Sequence, residues 1–227
     1  MSKYSVIIPT LNEEKYLPPV LEQLKSIDED LEIIIADGGS EDNTLKIAER
    51  FNVKICKSEK GKGIQLNNGA GCATGDVLIF LHADTFLPVN AFSLINEYLL
   101  VRRVHIATFK MKFDKQSLLM DIYSWFTKFD SIFTTFGDQA IVIRRDFFNK
   151  LNGFPNLTIF EDVELCRKAR SKTKIYKLPA FVTTSARRFE LRGILKNQLL
   201  NGLYIIQYLV GIDPNNIYKK YFKDKLR

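Results

Sequence analysis

Apolar residues in the first third of the chain come in short runs separated by polar, turn-forming clusters. Ser5 to Pro9 (SVIIP), Leu31 to Ala36 (LEIIIA), Val53 to Cys56 and Val77 to Leu81 (VLIFL) read as buried strands. Between them, Val20, Leu21, Leu24 and Ile27 have helical spacing, with Pro18 and Pro19 suited to a first helical turn. Asp42 or Asn43 can cap a second helix running to about Phe51. Gly61 to Ala73 is Gly-rich and predicts a third helix after Gly63. Strands apolar on both faces, alternating with helices, imply a mostly parallel sheet covered on both sides. Ligands of such sheets bind beyond the carboxyl ends of the strands. That rule selects Pro9 to Glu14, Asp37 to Asn43 and His82 to Thr85 as candidate site loops.

The pattern then becomes less regular. Asn90 to Val101 predicts a helix. Ala107, Phe109, Met111 and Phe113 alternate with polar residues, as in a strand with one wet face. Leu118 to Phe136 is aromatic and predicts a helix, Gln139 to Ile143 a strand, and Asp146 to Asn152 a short helix. Asp162 to Ser171 predicts a polar helix and Leu191 to Val210 a long amphipathic one. With no linker or repeat, the expectation is a single domain over 1–227. Residues 1–105 make its regular half, and 106–227 its irregular half with a C-terminal helix.

The 227 residues carry a net charge of +7, which favours anionic partners. Nucleic-acid binding would rest on that charge alone, and no recognition motif supports it. Lys219, Lys220, Lys223 and Lys225 suit either an anionic surface or a solvated tail. Three widely spaced cysteines, Cys56, Cys72 and Cys166, argue against a disulfide framework or zinc site and for a reducing, cytoplasmic location. No stretch approaches the roughly 20 apolar residues of a membrane span. Peripheral contact with a membrane face stays open.

Asp37 and Asp84 each follow a buried strand and so fall on one sheet edge. Lys60 and Lys62, in Lys60-Gly61-Lys62-Gly63, can reach phosphate where the glycines admit close approach. Carboxylates, lysines and a divalent cation are what a nucleoside-diphosphate ligand requires. Each residue alone is more simply a cap or a solvated charge; their coincidence on one edge favours a site.

Four segments carry a family resemblance. Val6 to Glu14 (VIIPTLNEE), Ile35 to Thr44 (IADGGSEDNT), Gly75 to Thr85 (GDVLIFLHADT) and Glu161-Asp162 resemble, in order, the motifs of glycosyltransferase family 2. Gly63 to Gly71, His82-Ala83-Asp84, Gly137 to Ala140 and Glu161 to Leu165 are similar to one bacterial subfamily, some of whose members are linked to arsenosugar biosynthesis. The resemblance implies a GT-A-like, Rossmann-like α/β fold, with 1–105 as the nucleotide-sugar donor half and 106–227 as the acceptor half. It also implies inverting transfer of a sugar from a UDP- or GDP-sugar to a hydroxyl on an acceptor the sequence does not name.

On this resemblance, Pro9, Thr10, Asn12, Glu14 and Asp37 line the nucleotide pocket, joined by Lys60, Lys62 and Gln65. Asp84 holds Mn2+ or Mg2+ on the diphosphate. Either member of the Glu161-Asp162 pair can act as the general base; the family pattern favours Asp162, with Glu161 or Glu164 as the carboxylate beside it. The family's metal motif is commonly Asp-x-Asp, whereas here it reads His82-Ala83-Asp84, so the metal falls to Asp84 alone. An imidazole ligand at His82 would favour manganese. Arg187 and Arg188 suit the departing diphosphate, since guanidinium groups grip phosphate in bidentate fashion. Gly137, Asp138 and Gln139 are candidates for the acceptor. Trp125, Phe126, Phe129, Phe133 and Phe136 are expected mainly in the core, with a lipid-facing surface as the alternative.

Nucleotidyl transfer and dinucleotide-dependent redox chemistry both call for a Gly-rich loop after the first strand, and Pro9 to Glu14 is not one. A non-catalytic nucleotide-sugar binder or membrane-surface protein of the same fold remains the alternative.

Overall fold

The computed structural model describes residues 3–115, 117–187 and 194–225. One eight-stranded sheet organises them, in the order β3-β2-β1-β4-β7-β6-β8-β5. Its first half is the expected parallel unit: β1 (Tyr4–Thr10), β2 (Leu31–Asp37), β3 (Lys54–Lys57) and β4 (Val77–Phe80). Successive side chains on these strands enter different cores. Val6, Ile8, Ile33, Ile35 and Ile79 pack on one face, under α1 (Leu17–Lys25) and α2 (Thr44–Arg50). Ile7, Ile34, Ala36, Leu78 and Phe80 pack on the other, under α3 (Lys62–Cys72). Burial on both faces accounts for the uninterrupted apolar runs of the sequence.

Antiparallel strands extend the sheet. β7 (Ile141–Arg144) runs against β4, pairing Ile141 with Phe80, and β6 (Ile106–Phe113) runs against β7. β8 (Tyr176–Thr184) lies parallel to β6, and β5 (Thr85–Phe86) pairs against its end through Thr85 and Thr184. An antiparallel strand starts where its parallel neighbour stops. The chain entering β7, 137–140, therefore sits beside the carboxyl end of β4.

The remaining helices are α4 (Ala91–Ile95), continued by a π-helical segment Asn96–Val101, then α5 (Leu118–Phe126), α6 (Arg145–Lys150) and α7 (Glu161–Arg170). They end with α8 (Ile194–Leu209) and α9 (Pro214–Lys225). Three elements differ from the sequence reading. The helix expected to reach Phe136 stops at Phe126, where buried Thr127 turns its hydroxyl to Ser124 O at 2.7 Å and accepts from Met111 N at 3.0 Å. The lysine-rich C-terminus is a helix rather than a tail. The aromatic stripe is not core: Trp125, Phe126, Phe129 and Phe133 are each close to half exposed.

The cysteine reading is also corrected. β3 and the end of α3 bring Cys56 and Cys72 together as a disulfide, with Cα atoms 6.6 Å apart. A separation of 16 positions hid a pairing that only helix-on-sheet packing creates. Among the described residues, no helix is long and apolar enough to cross a membrane.

Candidate active site

Two cavities meet at the carboxyl edge of the parallel strands. The first, of about 320 Å³, is lined by Pro9, Thr10, Glu13, Lys60, Lys62, Gln65, His82, Asp84 and Arg187. The second, of about 330 Å³, is lined by Asp138, Glu161, Asp162 and many aromatic residues, including Tyr123, Phe133, Phe136 and Tyr204. Lys62, Thr158, Tyr218 and Tyr221 belong to both walls.

The loops of the first cleft are held by their own polar side chains. Thr10 and Asp37 are register partners at the ends of β1 and β2, and the Thr10 hydroxyl donates to Asp37 at 3.0 Å. The Asp37 carboxylate also accepts from Gly39 N, Ser40 N and the Ser40 hydroxyl, and is 1% exposed. Gln65 donates to Thr10 O at 2.7 Å and Ala36 O at 2.9 Å, tying the two strand ends together from α3. Asn12 and Glu14 stitch their loop to the one after β2, through Glu41 N and Asn43. They face a neighbouring shallow groove rather than the cleft. Thus Pro9, Thr10, Lys60, Lys62, Gln65, Asp84 and Arg187 come together, while Asp37, Asn12 and Glu14 shape the loops behind them. Arg188 lies outside the described residues.

Arg187 is the centre of charge in the cleft. Ser185 N donates to Asp84 O beside the β5–β8 pair, which carries Arg187 to Asp84. Its Nε lies 2.9 Å from Asp84, its two terminal nitrogens donate to both Glu13 oxygens at 2.8 and 2.9 Å, and the guanidinium stacks 4.0 Å from the Tyr16 ring centre. Burial opposes this charge, but the Glu13 hydrogen bonds and the Asp84 carboxylate more than offset it and hold the pKa above the ordinary arginine value.

The second cavity has its own carboxylates. Phe160, in left-handed conformation at φ +69°, turns the chain into α7, so that Glu161 and Asp162 occupy its first turn, where the helix dipole favours negative charge. The Asp162 carboxylate accepts from Gly137 N at 2.6 Å and Val163 N at 2.8 Å. Gly137 is the crowded point of the site. A β-carbon there would lie 3.0 Å from Asp162 Oδ2, 3.3 Å from His82 Nε2 and 3.4 Å from Lys62 Nζ. These three side-chain ends therefore converge on Gly137, where a β-carbon would be in tight contact with each.

Glu161 is buried and pairs with Lys62 at 3.2 Å. Burial pushes its carboxyl above the usual range; Lys62 counters this, and neighbouring Asp162 adds to it. Glu164 is committed elsewhere, to Arg167 and the Tyr208 hydroxyl, and the Arg167 hydrogen bonds hold its carboxyl low. The carboxylate beside Asp162 is therefore Glu161. His82 Nδ1 is 3.9 Å from Asp138, and the ring lines the first cavity. Gln139 is fully buried, donating to Thr134 O and accepting from Lys177, and lines neither cavity. Gly137 and Asp138 are thus at the site and Gln139 behind it.

Thr158, Tyr218 and Tyr221 escaped the sequence reading. The available signal was Asp213-Pro214, an N-cap followed by a proline at the first helical position, which announces α9 and places Tyr218 and Tyr221 at i, i+3 on one side of it.

The model of the family described as glycosyl transferase family 2 matches residues 5–151, well over half of the chain and all four strands that build the cleft. The chain belongs to this family. The Staphylococcus aureus protein TarS, named a poly(ribitol-phosphate) beta-N-acetylglucosaminyltransferase, is 33% identical over 97 residues, covering 38% of this chain and 17% of TarS. A Mycobacterium bovis protein named a PGL/p-HBAD biosynthesis glycosyltransferase is 37% identical over 92 residues, 37% of this chain and 36% of that one.

The crystal structure of TarS 1-349 with UDP-GlcNAc superposes with a TM-score of 0.69 at 23% identity, covering 82% of this chain and 59% of that one. The mannosyltransferase PcManGT from Pyrobaculum calidifontis, with GDP-Man and Mn2+, gives 0.69 at 17% identity, covering 89% and 62%. The chain thus spans less than two-thirds of the length of each of these relatives. These likenesses confirm the GT-A fold expected from the sequence.

Proposed function

We propose that this chain transfers a sugar from a nucleoside-diphosphate donor, bound in the strand-edge cleft, to a hydroxyl of an acceptor bound in the aromatic cavity. One observation carries the reading: the two cavities abut at Lys62, with Asp162 fixed at the junction by the Gly137 N–H. The bound molecules in the structural relatives, UDP-GlcNAc and GDP-Man, support a UDP- or GDP-sugar donor.

The chemistry follows from the placement of the charges. Asp162 takes the proton of the acceptor hydroxyl as its oxygen attacks the anomeric carbon. The bond from that carbon to the diphosphate breaks, and the diphosphate leaves with the electron pair. One displacement inverts the configuration. Glu161 orients Lys62, whose ammonium faces both the leaving diphosphate and the acceptor side. Asp162, whose carboxylate already accepts two backbone hydrogen bonds, keeps its geometry without help from the substrate.

Among the described residues no three His, Cys, Asp or Glu side chains cluster to hold a metal. A divalent cation of the magnesium or manganese kind, which accepts one or two carboxylates and completes its shell with phosphate oxygens and water, would rest on Asp84 once its ion pair with Arg187 opens. When bound, such an ion neutralises charge developing on the leaving diphosphate.

The test is thermal stabilisation by UDP- and GDP-sugars with and without Mn2+, followed by turnover. A nucleotide sugar should stabilise the protein, and Asp84→Ala should remove the metal-dependent part. Asp162→Asn should leave donor stabilisation intact while lowering turnover by about 10²- to 10⁴-fold. An Asp162→Asn enzyme of full activity would exclude Asp162 as the base. No stabilisation by any donor would move the membrane-surface reading ahead of the enzyme.

A further inference from the structure

The aromatic segment that the sequence assigned to the core is on the surface, and it has a counterpart. On α5 and the turn after it, Leu118, Ile122, Trp125 and Phe129 recur at i, i+4, i+7 and i+11, and all four are exposed. On α8 and the residue after it, Leu199, Leu203, Ile206 and Val210 recur with the same spacing and are also exposed. The two helices pack against each other. Each is thus amphipathic with its apolar stripe turned outward, the reverse of a helix that serves only its own core.

The face is continuous with the aromatic cavity. Phe133 lines the cavity and is half exposed at its rim, Tyr123 follows Ile122 into the wall, and Gly202 and Tyr204 flank Leu203 there. Its surroundings are basic. α8 contains no acidic residue. α9, packed on α8 through Tyr221 against Tyr204, exposes Lys219 and Lys220, and Lys128 is exposed between Phe126 and Phe129. Against these stand exposed Asp121 and Asp213, while Asp130 is bound to Arg170. Apolar residues rimmed by lysines, on a chain of net charge +7, complement an anionic lipid surface.

We propose that the α5–α8 face docks on an anionic membrane surface and presents the aromatic cavity to an acceptor held in that surface. The docking stands on the exposed stripes; only the acceptor clause rests on the glycosyl-transfer reading.

Trp125, the single tryptophan of the chain, lies in the stripe and reports its environment directly. Its emission should shift to the blue with phosphatidylcholine vesicles containing phosphatidylglycerol, and less with phosphatidylcholine alone. The double variant L203Q/I206Q, at exposed positions outside both cavity walls, should lower partition to the mixed vesicles on the order of tenfold or more. Its melting temperature and its stabilisation by UDP- or GDP-sugars should not change. K219E/K220E should lose the preference for phosphatidylglycerol.

Unchanged Trp125 emission with both vesicle types overturns the proposal. So does a lipid-free blue shift that grows with protein concentration alongside a dimer in light scattering, since the face would then belong to a second copy. Donor stabilisation without lipid binding removes the surface and leaves the transferase; lipid binding without donor stabilisation does the reverse.

Discussion

At the scale of single residues, the cleft is defined by how its charges are already spent. Arg187 satisfies Glu13 and Asp84 at once, so a cation approaching Asp84 meets a guanidinium in its way. Arg187→Ala should therefore tighten Mn2+ binding to the nucleotide-free protein several-fold, read from the free Mn2+ signal in electron paramagnetic resonance, while weakening UDP or GDP binding. Equal Mn2+ affinity in both proteins would mean that Arg187 and the metal do not compete. The same logic separates Asp84 from Asp37. Both follow buried strands, but Asp37 is consumed by four hydrogen bonds from its own loop and Thr10, whereas Asp84 holds an ion pair that a ligand can exchange.

At the scale of elements, the site depends on two helix N-termini meeting. A β-carbon at Gly63, in the first turn of α3, would lie 2.8 Å from Pro155 O and 3.3 Å from Glu161 Cβ. Backbone cannot yield as a flexible side chain can, so Gly63→Ala must part α3 from the segment leading into α7. The expected cost is about 1–3 kcal/mol in urea unfolding. Turnover should fall further than stability predicts, because Lys62 and Glu161 move apart with the helices. A variant with wild-type stability and turnover would show that the junction is looser than its packing implies. None of this contact was legible in sequence. Gly63 read as a phosphate-loop glycine, and its packing partners lie more than ninety positions away.

Taken as a whole, the molecule couples its two cavities through α9, whose Tyr218 and Tyr221 line both. Tyr221→Ala should raise the Michaelis constants for donor and acceptor together, with a smaller change in turnover number, measured by initial rates with each substrate varied in turn. A change confined to one substrate would assign the ring to that cavity alone. The lysine-rich C-terminus reads as solvated because its charges dominate its composition; the helix buries Ile217, and Tyr204 and Tyr221 pack ring to ring behind it.

The sequence by itself determined the parallel half of the sheet, since strands buried on both faces cannot be other than apolar throughout. It also determined the edge on which Thr10 and Asp84 would gather, because loops at strand ends are placed by local chain direction, while Asp162 was placed only by the family resemblance. Only the tertiary structure decided which partners the polar groups of the site take. Asp84 meets Arg187 and Gln139 meets Lys177, both brought from distant segments, whereas Asp37 is bound by its own loop and Thr10. The outward turn of the Trp125 stripe was decided the same way. Helical spacing records that one side of a helix is apolar, while the direction that side faces depends on where the neighbouring elements pack.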